Sequence, residues 1–120
     1  MPKKVLVVDD QPEMAGAIRR VLRNKGIQVE IACDGFHAGA CLESAPPDLV
    51  TLDIGMPGLG GYEVLRYIRA SNELKGVKVL IISAEDETKL RRELNGIADD
   101  LLIKPFENKV LLEKVMSLLN

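Results

Sequence analysis

Apolar residues in this chain follow two alternating rhythms. Short, mainly apolar runs occupy residues 5–8, 29–32, 49–52, 77–82 and 101–103. They are rich in β-branched side chains and too short for buried helices, so they predict buried strands. The segments between them carry apolar residues at helical spacing. Met14, Ile18, Val21 and Leu22 form the first stripe, and Ala38, Cys41, Leu42 and Ala45 the second. Val64, Leu65 and Ile68 form a third, Leu90, Leu94 and Ile97 a fourth, and Leu111, Val115, Leu118 and Leu119 a fifth. Each stripe gives a helix one face to bury. Gly26, Gly35, Gly76 and Gly96 sit near the breaks, where helices stop and turns form. Asp10 is placed to cap the first helix, with Pro12 in its first turn. Five strand–helix units in succession with short links predict an α/β fold, a parallel sheet covered by helices on both faces.

Composition narrows the class. A chain of 120 residues with 47% hydrophobic content and mean hydropathy near zero has enough material for one globular domain, expected over residues 1–120. Sixteen Lys and Arg against 18 Asp and Glu leave a net charge of −2, so no basic surplus favours direct binding to nucleic acid or an anionic membrane. No apolar run approaches the roughly 20 residues of a membrane span. The basic start "MPKKVLVV" is followed by too short an apolar stretch for a signal peptide, so the expected compartment is the cytoplasm. Cys33 and Cys41 are then expected as reduced thiols acting as small buried hydrophobes. His37 is the single histidine, too few for a Cys/His zinc site, and is expected in solvent on the second helix.

The chemistry lies at the strand ends. In an open parallel sheet, ligands bind outside the carboxyl ends of the strands. Asp9 and Asp10 follow the first strand, Asp53 the third, Ser83 the fourth and Lys104 the fifth. One such acid is ordinarily a helix cap and one Lys-Pro a turn. Three carboxylates on one edge are harder to explain, because at about 4 Å and an effective dielectric near 20 each like-charge pair costs about 4 kcal/mol. A hard divalent cation resolves the conflict: Mg²⁺ prefers oxygen ligands, and three negative charges balance against the metal and Lys104. Such a site suits phosphoryl transfer, in which catalysis is mostly positioning and neutralisation, and aspartate can act as a phosphoryl acceptor.

The order Asp9-Asp10, then "LDIGMPGLGG", "IISA" and "IKPF", each at a strand end, resembles the response regulator receiver domain of two-component signalling. The resemblance covers essentially the whole chain. It implies a flavodoxin-like (βα)5 doubly wound five-stranded parallel sheet with strand order 2-1-3-4-5, for which the family is itself a known example. It implies Asp53 as phosphoacceptor, and Mg²⁺ held by Asp9, Asp10, Asp53 and the main-chain carbonyl of Gly55. Lys104 would neutralise the phosphoryl group, the Ser83 hydroxyl would move to meet it, and Lys104–Pro105 would be cis. Pro57 and Gly58 would shape a tight turn after Asp53. The implied partners are a sensor histidine kinase or phosphotransfer protein, and a downstream target, output domain or phosphorylation-dependent homodimer. Those would engage helix 4, strand 5 and helix 5, where Lys89, Arg91, Arg92, Asp99, Asp100 and Lys114 are either ordinary solvated charge, the more frequent case for such residues, or an ion-paired face. The function implied is a phosphorylation-activated switch that catalyses only its own phosphorylation and dephosphorylation.

The chain also departs from that family. Leu101 stands where a switch aromatic usually sits, three residues before the lysine. Gly60-Gly61 replaces the frequent Asp-Gly at the start of helix 3, which is expected to weaken its cap and loosen the loop. Gly55 and Glu85 flank the phosphoryl position, leaving the Gly55 side open to water. Two rivals stand beside this reading. A phosphohydrolase of the haloacid dehalogenase type would need Asp-x-Asp, and Gly55 occupies the second place. A receiver-like interaction module that is never phosphorylated would have no use for the full cluster.

Overall fold

The computed structural model describes residues 2–56, 58 and 60–120. Its elements run β1 (Lys4–Val8), α1 (Pro12–Arg23), β2 (Gln28–Ala32), α2 (Gly35–Ser44), β3 (Leu49–Asp53), α3 (Gly61–Ala70), β4 (Lys78–Ser83), α4 (Glu87–Leu94), β5 (Asp100–Ile103) and α5 (Asn108–Leu119). All the strands pair in parallel, in the order β2-β1-β3-β4-β5. The chain steps outward from β1 to β2, then returns across β1 to begin β3. That reversal opens a crevice between the carboxyl ends of β1 and β3, the usual place for a ligand in such a sheet.

Alternation along the strands divides the core in two. Val5, Val7, Leu49, Leu80, Ile82 and Leu102 pack against α1 and α5 through Ile18, Leu22, Leu111 and Val115. Leu6, Val8, Val50, Leu52, Val79, Ile81 and Leu101 pack against α2, α3 and α4 through Leu42, Leu65, Ile68 and Leu90. Each fully buried side chain of this size contributes roughly 1.5–3 kcal/mol, so both layers hold the strands in register. The strand β2 is an edge, and only Ala32 within it is fully buried.

Several local expectations change. The N-cap of α1 is Gln11, without a side-chain cap, and Asp10 caps nothing. The turn is closed instead by Asp9, whose Oδ1 accepts from the Gln11 N–H at 2.9 Å. The fourth helix ends at Leu94; Gly96, at φ +80°, turns the chain, and Ile97 lies outside the helix, 38% exposed. Ala45 is the C-cap of α2 rather than part of its buried stripe. Cys41 is buried, but Cys33 is exposed, because it follows the end of an edge strand where no helix covers it. Gly58 has φ +72°, a left-handed turn position open to glycine; Pro57 lies outside the described residues.

The amino edge of the sheet is locked by one arginine that the hydrophobic pattern does not reveal. Arg69 on α3 donates to the carbonyls of Ile97 at 2.6 Å, Val77 at 2.8 Å and Lys75 at 3.0 Å, and to Asp99 Oδ2 at 2.8 Å. Asp99 Oδ2 also accepts from the Val79 N–H at 2.7 Å. One guanidinium thus satisfies the loops entering β4 and β5. Arg69→Met, which keeps the apolar stem, is expected to lower unfolding free energy by about 2–3 kcal/mol, since partly buried carbonyls and a carboxylate lose a charged donor. Urea unfolding measures it; a loss below about 0.5 kcal/mol would show that water replaces the arginine freely.

Candidate functional site at the carboxyl edge of the sheet

Strand parity explains which groups meet. Val7 and Leu102 face α1 and α5, so Asp9 and Lys104, two residues on, continue toward that side. Asp53 shares the parity of Leu49. Three strand ends therefore bring two acids and an ammonium together. Lys104 Nζ lies 3.8 Å from Asp9 Oδ2 and 3.7 Å from Asp53 Oδ2. Both contacts are longer than the 2.7–2.9 Å of a charge-assisted hydrogen bond, so the ammonium is shared rather than committed.

The other oxygen of each acid is fixed by the main chain. Asp9 Oδ1 accepts from Gln11, and Asp53 Oδ1 accepts from the Gly55 N–H, each at 2.9 Å. Asp9 is 2% exposed and Asp53 is also buried, whereas Asp10 is exposed. Asp9, Asp10 and Asp53 each offer a carboxylate oxygen, and these atoms lie within 4.8 Å of one another. Burial pushes the Asp9 carboxyl above the usual carboxylate range; the Gln11 N–H and Lys104 oppose that, and Asp53 and Asp10 add to it. An all-oxygen, net-negative donor set of this size fits a hard divalent cation such as Mg²⁺ and offers nothing to a thiophilic metal.

Ser83 is buried at the end of β4, one residue past Ile82, which pairs with Asp53. Its Oγ accepts from the Glu85 N–H at 3.0 Å, and its carbonyl accepts from the Lys104 N–H at 2.8 Å. The carbonyl thus ties the serine and lysine strands together just beyond β5. Lys104–Pro105 is cis.

Gly61 is a site residue that the sequence reading missed. A Cβ there would stand 2.5 Å from the Asp53 carbonyl oxygen and 2.8 Å from Ile54 Cα. The start of α3 is therefore pressed against the Asp53 main chain, and the expected loosening at Gly60-Gly61 gives way to close packing. Gly60 is the N-cap without a side-chain bond, as expected. At Gly55 the situation is opposite: a Cβ would make ordinary contact, 3.6 Å from Asp53 Oδ1. No residue type announces such contacts; only the folded backbone does.

Other expected features are placed as follows. Leu101 is buried in the α2–α4 layer. His37 is exposed on α2, its Nδ1 4.0 Å from Cys33 Sγ and away from the acids. The ion-paired face is only partly realised. Lys114 joins α5 to Asp100 at 3.2 Å, but the Arg91–Glu87 pair stays within α4, and Asp99 turns to Arg69 instead.

Comparisons with known proteins agree on one family. The response regulator receiver domain model matches residues 5–116. Response regulator MprA of Mycolicibacterium vanbaalenii is 39% identical over 120 residues, covering 99% of this chain and 51% of that protein. DNA-binding response regulator MtrA of Mycolicibacterium smegmatis is 36% identical over 116 residues, covering 96% and 50% respectively. The chain spans about half the length of these curated relatives. A response regulator signal receiver domain from Bermanella marisrubri superposes with TM-score 0.89 at 43% identity, covering both chains in full. Chemotaxis protein CheY4 of Vibrio cholerae gives 0.92 at 28% identity over 98% of this chain and 99% of that one. Among the described residues, no helix is long and apolar enough to cross a membrane.

The raised Asp9 carboxyl fixes a sign. The folded state favours the protonated acid, so its stabilising effect is full below the ordinary carboxylate value and is lost as pH rises through the raised one. At neutral pH the charged Asp9 opposes folding of the metal-free protein. Asp9→Asn, whose amide oxygen can still accept from Gln11, is expected to stabilise the metal-free protein by on the order of 1 kcal/mol, and exposed Asp10→Asn by less. Mg²⁺ should raise the parent's stability by mass action and that of both variants much less. Urea melts in EDTA and in excess Mg²⁺ read these values. Destabilised variants that gain as much from Mg²⁺ as the parent would overturn the strained-site account.

Proposed function

The chain belongs to the response regulator receiver domain family, and from that premise we propose that Asp53 is its phosphoacceptor, in a unit spanning residues 1–120. Receiver domains are the phosphorylation switches of two-component signalling and bind Mg²⁺ at an acidic pocket. The observation that carries the assignment is the position of Asp53. It is buried, with one carboxylate oxygen bound to the Gly55 N–H and the other 3.7 Å from Lys104. The carboxylate is oriented by its own turn, and a cation stands beside the oxygen left without a main-chain bond.

Asp9, Asp10 and Asp53, with the Gly55 carbonyl, would hold Mg²⁺, which neutralises charge on the transferring group. An Asp53 oxygen attacks phosphorus of a phosphohistidine on a sensor kinase or phosphotransfer protein. The P–N bond breaks, its electrons return to the imidazole, and an acyl phosphate forms. Lys104, now shared between Asp9 and Asp53, turns to the phosphoryl oxygens, and the Ser83 hydroxyl donates to one of them. Water later attacks the same phosphorus and restores the carboxylate, so the domain catalyses its own dephosphorylation. The setting is the cytoplasm. The altered surface would include α4, β5 and α5, read by an output domain, a separate target or a second copy. One relative is named a DNA-binding regulator, and an output of that class is the corresponding possibility here.

Acetyl phosphate with Mg²⁺ is expected to add one phosphoryl group, seen as a mass shift, and Asp53→Asn to abolish it, because the amide is a poor nucleophile. Equal labelling of the variant would refute the assignment. Turnover of a phosphate ester would favour the phosphohydrolase instead, and absence of labelling the unphosphorylated module.

Lifetime is a separate expectation. Gly55 has no positive φ, and a side chain there meets Asp53 Oδ1 at ordinary contact distance. Gly55→Met should shield the acyl phosphate and slow its hydrolysis several-fold, while Mg²⁺ affinity, which uses the Gly55 carbonyl, changes little. Decay that is unchanged or faster would show that water reaches the phosphorus from elsewhere.

A further inference from the structure

Ser83 is joined to two helices by a chain of polar contacts that the phosphoacceptor chemistry does not require. Its Oγ lies 3.5 Å from Glu85 Oε2. Glu85 Oε1 is 3.9 Å from Lys89 Nζ, and Lys89 Nζ is 4.0 Å from Glu93 Oε1. Glu93 Oε2 accepts from the Tyr62 hydroxyl at 2.8 Å. The chain starts one residue past Ile82, the β4 partner of Asp53, and ends on α3, one residue past Gly61, which is itself pressed on the Asp53 main chain.

Lys89 sits almost midway between two carboxylates. Neither contact is short, both partners are partly exposed, and such pairs are weak singly. A cation in that position is easily tipped, because only the difference between its two contacts opposes a shift. The ring of Tyr62 packs on the α2–α4 layer, and its hydroxyl is raised to about 12 by burial, then by Glu93 and Glu85. No aromatic is available at Leu101 to report on Ser83.

We propose that Glu85 is a positioning residue for the Ser83 hydroxyl, and that Glu85, Lys89, Glu93 and Tyr62 couple that hydroxyl to the α3–α4 surface. The coupling rests on the reading of Ser83 as the hydroxyl that meets the phosphoryl group. Before phosphorylation, Glu85 shares the hydroxyl with its own main-chain N–H. When the hydroxyl turns to a phosphoryl oxygen, Glu85 loses a donor and faces a new negative charge. Its carboxylate swings outward and draws Lys89 from the midpoint. Glu93, left with less counter-charge, accepts more strongly from Tyr62. The bond between α3 and α4 tightens without any ring entering the core.

Linkage makes the coupling reciprocal: if phosphorylation strengthens the Tyr62–Glu93 bond, removing the bond must weaken the phosphorylated state. The chain has no tryptophan, so Tyr67→Phe leaves Tyr62 as the sole tyrosine, a reporter whose emission falls as a carboxylate takes its hydroxyl hydrogen bond more strongly. Beryllofluoride with Mg²⁺ serves as the phosphoryl analogue. Binding is expected to lower Tyr62 emission in the Tyr67→Phe protein. Lys89→Met should keep Asp53 labelling by acetyl phosphate yet lose the emission response. Tyr62→Phe should weaken beryllofluoride affinity about fivefold, the low end of typical coupling factors, with Mg²⁺ affinity unchanged. Should Asp53 fail to label, the reading of the site fails, and the coupling with it. Should Asp53 label while the Lys89→Met protein responds like the parent, the site stands and the coupling is wrong. Unchanged beryllofluoride affinity in Tyr62→Phe also overturns it.

Discussion

Three carboxylates gather at one sheet edge, two of them sharing one ammonium, and the remainder of the molecule makes that gathering possible. Asp9, Asp10 and Asp53 present oxygens within 4.8 Å, with Lys104 at 3.7–3.8 Å from two of them. No relaxation of surface side chains can disperse the cluster, because Asp9 and Asp53 are set by β1 and β3, and those strands are pinned by apolar layers on both faces. The acids are further tied by their own turns, through the N–H groups of Gln11 and Gly55. Packing energy is spread over the sheet, while the repulsion is confined to one edge. A fold with two full layers can therefore carry a local arrangement that opposes its own stability.

The two sheet edges differ in kind. At the amino edge, Arg69 and Asp99 form a short ion pair whose remaining hydrogen-bonding capacity is taken up by main-chain groups of the β4 and β5 entries. That edge has little to gain by moving. At the carboxyl edge, the ammonium contacts are long and Ser83 is shared. The loosely held polar contacts thus lie at the edge that carries the acidic cluster. The same contrast separates Gly61, where no Cβ fits against Asp53, from Gly55, where one does. One flank of Asp53 is closely packed and the other has room for a side chain.

Most of the architecture was legible in the sequence because alternation and helical spacing are properties of the residues themselves. The apolar runs at 5–8 and 49–52 could hardly be anything but buried strands, and the acids behind them mark the carboxyl edge once the sheet is taken as parallel. The strand order came only through the family resemblance. Errors arose where backbone geometry decides. Asp10 looked like a cap by residue type, yet the chain enters α1 one residue later and Asp9 closes the turn. Ile97 fitted the stripe of α4 by spacing, but the helix ends three residues earlier. Cys33 is exposed because β2 is an edge, which composition does not reveal. Gly61 read as a loose link because a glycine says only that a side chain is absent, not what would collide with one. Arg69 carried no signal at all: an arginine in a helix is ordinarily solvated, and its partners are distant in sequence.

A leucine at position 101 changes what a switch in this fold can use. It is 4% exposed within the α2–α4 layer, where truncation or rotation would leave a void rather than expose a polar handle. A leucine has no hydroxyl to exchange between solvent and interior, so two states of this side chain would differ little in free energy of solvation. Any change at Ser83 must then travel through groups that can hold charge or hydrogen bonds in two arrangements. The Ser83 main chain offers one route, through its carbonyl to the Lys104 N–H and so to β5. Its side chain offers the other, through Glu85 toward α4. The first is a single 2.8 Å bond at the end of the sheet, short and already satisfied; the second is a series of longer contacts in partial solvent. Stiff elements set position and loose ones shift population, so the side-chain route is the better suited of the two to carry a change.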